Sequence, residues 1–301
     1  MFDLFSNYVG EIAALTTSIL WSFGSIFFTI SSRAVGSVLV NRVRLLYATI
    51  LLAGSHFFFY GHLLPVHAEP FRWWWLGLSG FIGLVLGDAM LFQAFVVIGT
   101  RLTMLLLSLV PIISSLFAWI FLGEILKPIQ VFAIFLTVGG IIFVVLEKNE
   151  NSHARKTYLQ GILLGFGGAA GQALGLITAK KGLSGDFSGL SANLIRMVTA
   201  MSCTWLIAAI RGRSILNLDF WKNKTARWSI WGGAVFGPFL GVWLVMISIK
   251  HAHVGIASTL QALPPIFLIP LTHWIFKEKI TLQSVIGTMI AMIGVAIIFL
   301  T

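Results

Sequence analysis

The sequence predicts an all-α integral membrane protein with ten transmembrane helices in two inverted five-helix repeats. Three observations carry that prediction. Of 301 residues, 58% are hydrophobic and 10% charged, against about a quarter charged in a soluble domain. One aqueous core could not hide so much apolar side chain. The chain also divides into ten apolar runs, each of roughly the 20 residues that a spanning helix needs. Finally, landmark residues recur at one fixed separation of 154 residues.

In chain order the runs are 9–30, 38–60, 73–95, 101–123, 128–146, 158–179, 189–210, 228–249, 253–276 and 280–300. The connections are mostly a handful of residues, which leaves no room for a soluble domain on either side. Unbroken apolar runs argue for helices, since barrel strands alternate over about ten residues. The first run has no basic residue before Arg33. It therefore lacks the positive region of a signal peptide and reads as the first span. The single cysteine, Cys203, excludes an intrachain disulfide and a cysteine-cluster metal site; inside a span it reads as a small buried hydrophobe.

A net charge of +10 could suggest nucleic acid, but its distribution points to lipid. Taking alternate connections as one side, fourteen Lys and Arg residues fall on one face and five on the other, with Arg196 inside a span. The positive-inside rule makes the richer face cytoplasmic and places both termini outside, in the cell (inner) membrane. The basic segment RGRSILNLDFWKNKTARW (211–228) would then lie against anionic inner-leaflet lipid.

The repeat is read from the landmarks. At an offset of 154, Arg42 falls on Arg196, Gly83 on Gly237, Gly87 on Gly241, Pro111 on Pro265, Glu124 on Glu278 and Gly140 on Gly294. The first spans match better at 151, pairing Gly10 with Gly161 and Gly24 with Gly175. Residues 1–146 form one five-helix unit, 147–157 a linker and 158–301 the second unit. A unit with five spans must enter the membrane from the opposite face the second time. The copies are then inverted about an axis in the membrane plane, and a binding site is expected near midplane between them. The loop at 60–72 carries one basic residue and its counterpart at 211–228 carries five, as loops on opposite faces should.

Several intramembrane residues fit a transport path, each against a structural alternative. Pro111 and Pro265 remove a helical hydrogen bond; they are hinges or static kinks, and their recurrence favours hinges. Asp88 is the only acid well inside a span. It is a coupling group, or half of a structural ion pair with Arg42 or Arg44. Arg42 and Arg196 either snorkel to the interface or offer a donor fork to a substrate carboxylate or phosphate. Trp21, Gln93, Gln172, Asn193 and Gln261 are candidate pocket groups, or bonds between helices. Trp21 and Gln172 are favoured because they occupy matching positions in the two first helices. The small-residue stripes Ser79/Gly83/Gly87, Gly233/Gly237/Gly241 and Gly167/Gly171/Gly175 read as close helix packing. Glu124 and Glu278 read as interfacial anchors, and FFFY (57–60) with WWW (73–75) as aromatic belts. His251 and His253 have no third ligand in view for zinc.

With WIFLGE (119–124), the repeated proline and the five-plus-five layout, the sequence resembles the EamA-type branch of the drug/metabolite transporter superfamily. Similar features are the tryptophan of SILWSFGS (18–25), the arginine of VNRVR (40–44) and the fifth-span ending GGIIFVVL (139–146). The second copy departs from the pattern, with WIFKE in place of LGE and Gln172 where Trp21 sits. The resemblance implies ten helices around a central cavity lined mainly by the first four of each repeat. It also implies movement of small metabolites, often export of amino acids or related compounds.

The reading that follows is a secondary transporter of small polar or amphipathic metabolites working by alternating access. No Walker A pattern is present, so ATP drive within the chain is not expected. A lipid-carrier flippase could use the same architecture. An intramembrane enzyme would need a nucleophile–base pair, metal cluster or paired acids, and neither HExxH nor GxSxG occurs. Expected partners are a small-molecule substrate and membrane lipids, with no nucleic acid and no cofactor; a homodimer is allowed.

Overall fold

The computed structural model describes residues 8–122, 127–146, 152–211, 222–251 and 259–300. Among these, ten helices are long and apolar enough to cross a membrane. The first and second spans are Val9–Val35 and Ser37–Tyr60, and the third runs over Pro70–Val97. The fourth is divided into Thr100–Leu107 and Val110–Leu122, followed by a fifth at Pro128–Val145. The sixth is Ser152–Gly182, the seventh Gly189–Ile210, the eighth Lys224–His251 in three segments, the ninth ends as Pro264–Phe276 and the tenth is Leu282–Leu300.

Several spans, the first, third, sixth and eighth above all, outrun their apolar stretch. Hydrophobicity marks only the part in hydrocarbon, while the backbone goes on satisfying its own hydrogen bonds in the interface. Thus the third span starts at Pro70, whose fixed φ suits a first helical position, rather than at 73. The sixth starts at Ser152, inside the stretch expected as linker, and residues 147–151 lie outside the described residues.

The first span shows which solvent the molecule is built for. Its buried face carries Thr17, Ser18, Ser22, Ser25, Thr29, Ser31 and Ser32, while Val9, Ile12, Leu15 and Phe23 are exposed. This is the reverse of a soluble helix. All of these hydroxyls but that of Ser32 bond to the carbonyl a turn back, as in Thr17→Ala13 at 2.9 Å and Ser22→Ser18 at 2.7 Å. Elsewhere Phe58, Phe135 and Leu282 are among the most exposed side chains. An apolar outside is stable only where hydrocarbon replaces water.

The repeat reaches into backbone detail that hydropathy does not carry. In the third span, Phe81–Gly87 is a π-helical turn; in the eighth, Val235–Gly241 is another, 154 residues later. In the fourth span the helix stops at Ser108–Leu109 and restarts; in the ninth it stops at Ala262–Leu263, again 154 residues on. Pro111 and Pro265 each sit in the first turn after the break, where a missing N–H does not interrupt a ladder. The break is a stop and restart rather than a bend through a continuous helix.

Glycine stripes hold the repeats together, as expected of close helix packing. A Cβ on Gly171 would lie 2.6 Å from Gly87 Cα, and one on Gly175 3.0 Å from Gly83 Cα, so the sixth span interlocks with the third. The first and eighth spans repeat this contact, with Gly24 facing Gly237 at 3.4 Å. The fifth and tenth spans pair through Gly140 against Gly287 and Ala291, and Gly294 against Ala133 and Thr137. The symmetry fails in one place. The first, second and third spans pack on one another around Asp88–Val97, whereas the equivalent sixth, seventh and eighth spans make no comparable contact among the described residues.

Candidate functional site

In the third span of the first repeat the polar groups gather at the π turn. A π turn leaves carbonyls without their usual partners, and such turns recur at functional sites. In the third span these carbonyls are met by side chains from two other helices. Asn41 Nδ2 donates to Leu84 O at 2.9 Å, and Gln172 Nε2 reaches Gly83 O at 3.4 Å. The next residue after the turn is Asp88. Its Oδ2 accepts from Arg44 Nη2, and its Oδ1 accepts from Gln172 Nε2 at 2.5 Å. Arg44 also donates to Asn41 Oδ1 at 3.0 Å. Its guanidinium lies over the rings of Phe92 (5.0 Å) and Phe28 (5.6 Å), which stack on each other.

Asp88 and Arg44 are 3% and 5% exposed, so this is a buried ion pair inside a membrane span. Removing such charges from water is costly, and only good geometry with further hydrogen bonds offsets the cost. The network supplies those bonds. Arg196 of the seventh span approaches from another side: its Nη2 lies 3.6 Å from where a Gly83 Cβ would stand, and it feels the Asp88 charge. It makes no hydrogen bond among the described residues, and its Nε is buried without a partner.

The other candidates are dispersed. Trp21 packs its indole edge on Gly241 at the end of the eighth span's π turn, as Gln172 packs on the third span's. Arg42 points away from Asp88 and lies over the Trp205 ring at 5.9 Å. Gln93 is exposed and accepts from Ser37 Oγ at 2.7 Å, a bond between the second and third spans. Asn193 is buried, with Nδ2 unpartnered. Gln261 donates to Ser248 Oγ at 3.5 Å, beside the break before Pro265. Glu124 and His253 lie outside the described residues. The Glu278 carboxylate sits against Gly99, ahead of the fourth span. Asn41, Phe28 and Phe92 escaped the sequence reading. The first was masked by its neighbouring arginines, and the two rings looked like any lipid-facing phenylalanine.

A cavity of about 240 Å³ lies between the second, seventh and eighth spans. Its walls include Leu52, Tyr60, Ser188, Leu190, Val242 and Trp243, with no charged residue among its lining. Val242 occupies the position that Asp88 holds in the first repeat, 154 residues earlier. The cavity is therefore at the second repeat's counterpart of the ion-paired, packed end.

A known protein shares this fold. A solved crystal structure of a protein, 16% identical, superposes with a TM-score of 0.67 over 97% of this chain and 96% of that one, a likeness of fold. An uncharacterized transporter of Archaeoglobus fulgidus is 36% identical over 80 residues, covering 26% of this chain and 27% of that relative, about a quarter of its length. The sequence profile of the EamA-like transporter family matches residues 8–146 and again 159–300, and this multi-pass membrane protein belongs to that family.

Proposed function

We propose that the chain is a secondary transporter that moves a small polar or amphipathic metabolite across the cell membrane by alternating access. Export of amino acids or related compounds is the favoured direction and class. Residues 1–146 and 158–301 act as inverted halves with both termini outside, and the cluster around Asp88, Gln172 and Arg196 is the site. No catalytic step is assigned to any residue.

The observation that carries this reading is the broken symmetry between the halves. Two copies share π turns and proline breaks at one offset, yet one is gathered around Asp88 and the other is parted beside Val242. Inverted halves in unlike conformations are what a transporter needs in order to face one side at a time. Exchange of the two conformations would turn the access over. The proline breaks supply the points of rotation, because helix segments there are joined by only a few backbone bonds.

The test is flux of labelled solutes into proteoliposomes holding the purified full chain, with and without a pH gradient. Saturable solute counterflow is expected. Lipid scrambling without solute flux would assign the architecture to a lipid carrier instead. Conversion of a solute in detergent, with no vesicle present, would make it an enzyme.

A further inference from the structure

The charge balance at the site points to the chemistry of what binds there. Asp88 has two carboxylate oxygens and both are taken, one by Arg44 and one by Gln172. Arg196 is within electrostatic reach of the same carboxylate but hydrogen-bonds to nothing among the described residues, and its Nε is buried without a partner. Arg44 is ion-paired to that carboxylate, while Arg196 Nη2 stands beside Gly83, five residues ahead of Asp88. Two guanidiniums thus lie near one carboxylate, and one positive charge has no ion-pair partner among the described residues. Arg42 does not enter this balance. It lies over Trp205, nine residues beyond Arg196 on the seventh span, or roughly 13 Å along the helix.

An arginine held this way inside a membrane span is costly unless an anion meets it. No side chain of the cluster remains to do so, so the anion must arrive from outside. A guanidinium presents a planar fork of donors that matches a carboxylate in two parallel hydrogen bonds. One uncompensated charge calls for one negative charge. The cavity beside Val242 adds a second constraint. Leu190 in its wall precedes Arg196 by six residues, about 9 Å along the helix. That wall offers aromatic rings and hydroxyls but no charged group.

We propose that the transported substrate is a monocarboxylate, that its carboxylate docks on Arg196, and that the rest of the molecule is uncharged or carries no further net charge. This rests on the transport reading above and narrows its substrate class to carboxylates without a counter-charge, which sets aside amino acids themselves in favour of related acids. On arrival the substrate carboxylate competes with Asp88 for the guanidiniums. Arg196 is therefore the substrate's anchor, and Arg44 with Asp88 is the pair whose rearrangement accompanies binding.

The experiment uses a panel of labelled monocarboxylates, each with its amide and its amine counterpart, in counterflow from proteoliposomes and in thermal stabilisation of the purified protein. The acids are expected to be carried and to stabilise, and the amides and amines are not. Arg196→Gln should raise the concentration for half-maximal stabilisation at least about tenfold, the loss expected for a charge-assisted hydrogen bond, and Arg196→Lys should recover part of it. Ligand-free Arg196→Gln should melt no lower than the parent, because it removes a half-buried charge that has no ion-pair partner among the described residues. Preference for amines or amides overturns the proposal while leaving transport intact. So does a melting point that falls in ligand-free Arg196→Gln, which would make Arg196 a structural prop. No counterflow by any member overturns the transport reading and this proposal with it.

Discussion

The two repeats differ most where their backbones agree best. Each has a π turn at the same place in its third helix, and each is followed by one decisive residue: Asp88 in the first, Val242 in the second. Opposite Asp88 stands Arg44, and the matching position of the second repeat is Val198. The π turn is supported differently too. In the first copy Asn41 and Gln172 cap its carbonyls; in the second, Pro238 lies inside it and has no N–H to give. The charged copy packs its first three spans around Asp88, and the apolar copy has a cavity beside Val242. A shared backbone plan thus sets where a helix can yield, and the side chains after it decide which end is held.

Breaking the pair should have the largest effect. Asp88→Asn leaves Arg44 buried without its counter-charge, which costs about 3–5 kcal/mol in comparable buried pairs; the melting point should fall sharply and flux should drop at least about tenfold. The double variant Arg44→Val with Asp88→Val makes the first repeat like the second. Replacing both partners with apolar groups is close to neutral for stability, so melting should recover while flux does not. If melting stays low, the pair is a fold element and not a latch.

Next in size is the helix contact that differs between copies. Gly175→Ala places a methyl 3.0 Å from Gly83 Cα, whereas its counterpart Gly24→Ala finds its nearest neighbour at 3.4 Å. The first should cost about 1–3 kcal/mol, the range for overpacking, and the second much less, as read by thermal unfolding in detergent. Pro111→Ala and Pro265→Ala should each slow flux a few-fold, about 1 kcal/mol in barrier, with little change in melting. Equal slowing by both would support hinges in both halves.

The smallest effect is expected at the pair that opens the third span, where Glu69 is exposed just ahead of the helix and Arg72 lies in its first turn. Arg72 donates to Glu69 and holds its carboxyl below the usual range; Arg72 also bonds Gly182 O and Ser184 O. What the pair adds is present above the ordinary carboxylate pKa and is lost as pH falls through the lowered value. Glu69→Gln should leave the melting point at neutral pH almost unchanged, since exposed pairs contribute little.

Much of this was legible in the chain. Ten runs, a repeat and a proline in each fourth helix are hydrophobicity and spacing, which sequence states directly. The isolated acid Asp88 announced itself by depth, and both arginines near it were candidates for its partner. What sequence could not do was choose. Arg42 and Arg44 are two residues apart on a helix, so they point to different faces, and only packing shows that Arg44 meets Asp88 while Arg42 meets Trp205. The π turns were also hidden, because glycines at four-residue spacing fit an ordinary packed helix as well. The asymmetry between halves is a conformation, and it is written in neither copy alone.

The central claim is that the two halves face opposite ways across the membrane. In a Cys203→Ser background, cysteines placed at Val66 and at Lys222, both exposed, can be labelled with an impermeant maleimide on intact cells. The account predicts that the cysteine at 66 reacts at once and the one at 222 reacts only after permeabilisation. Reaction of both from the same side would contradict it.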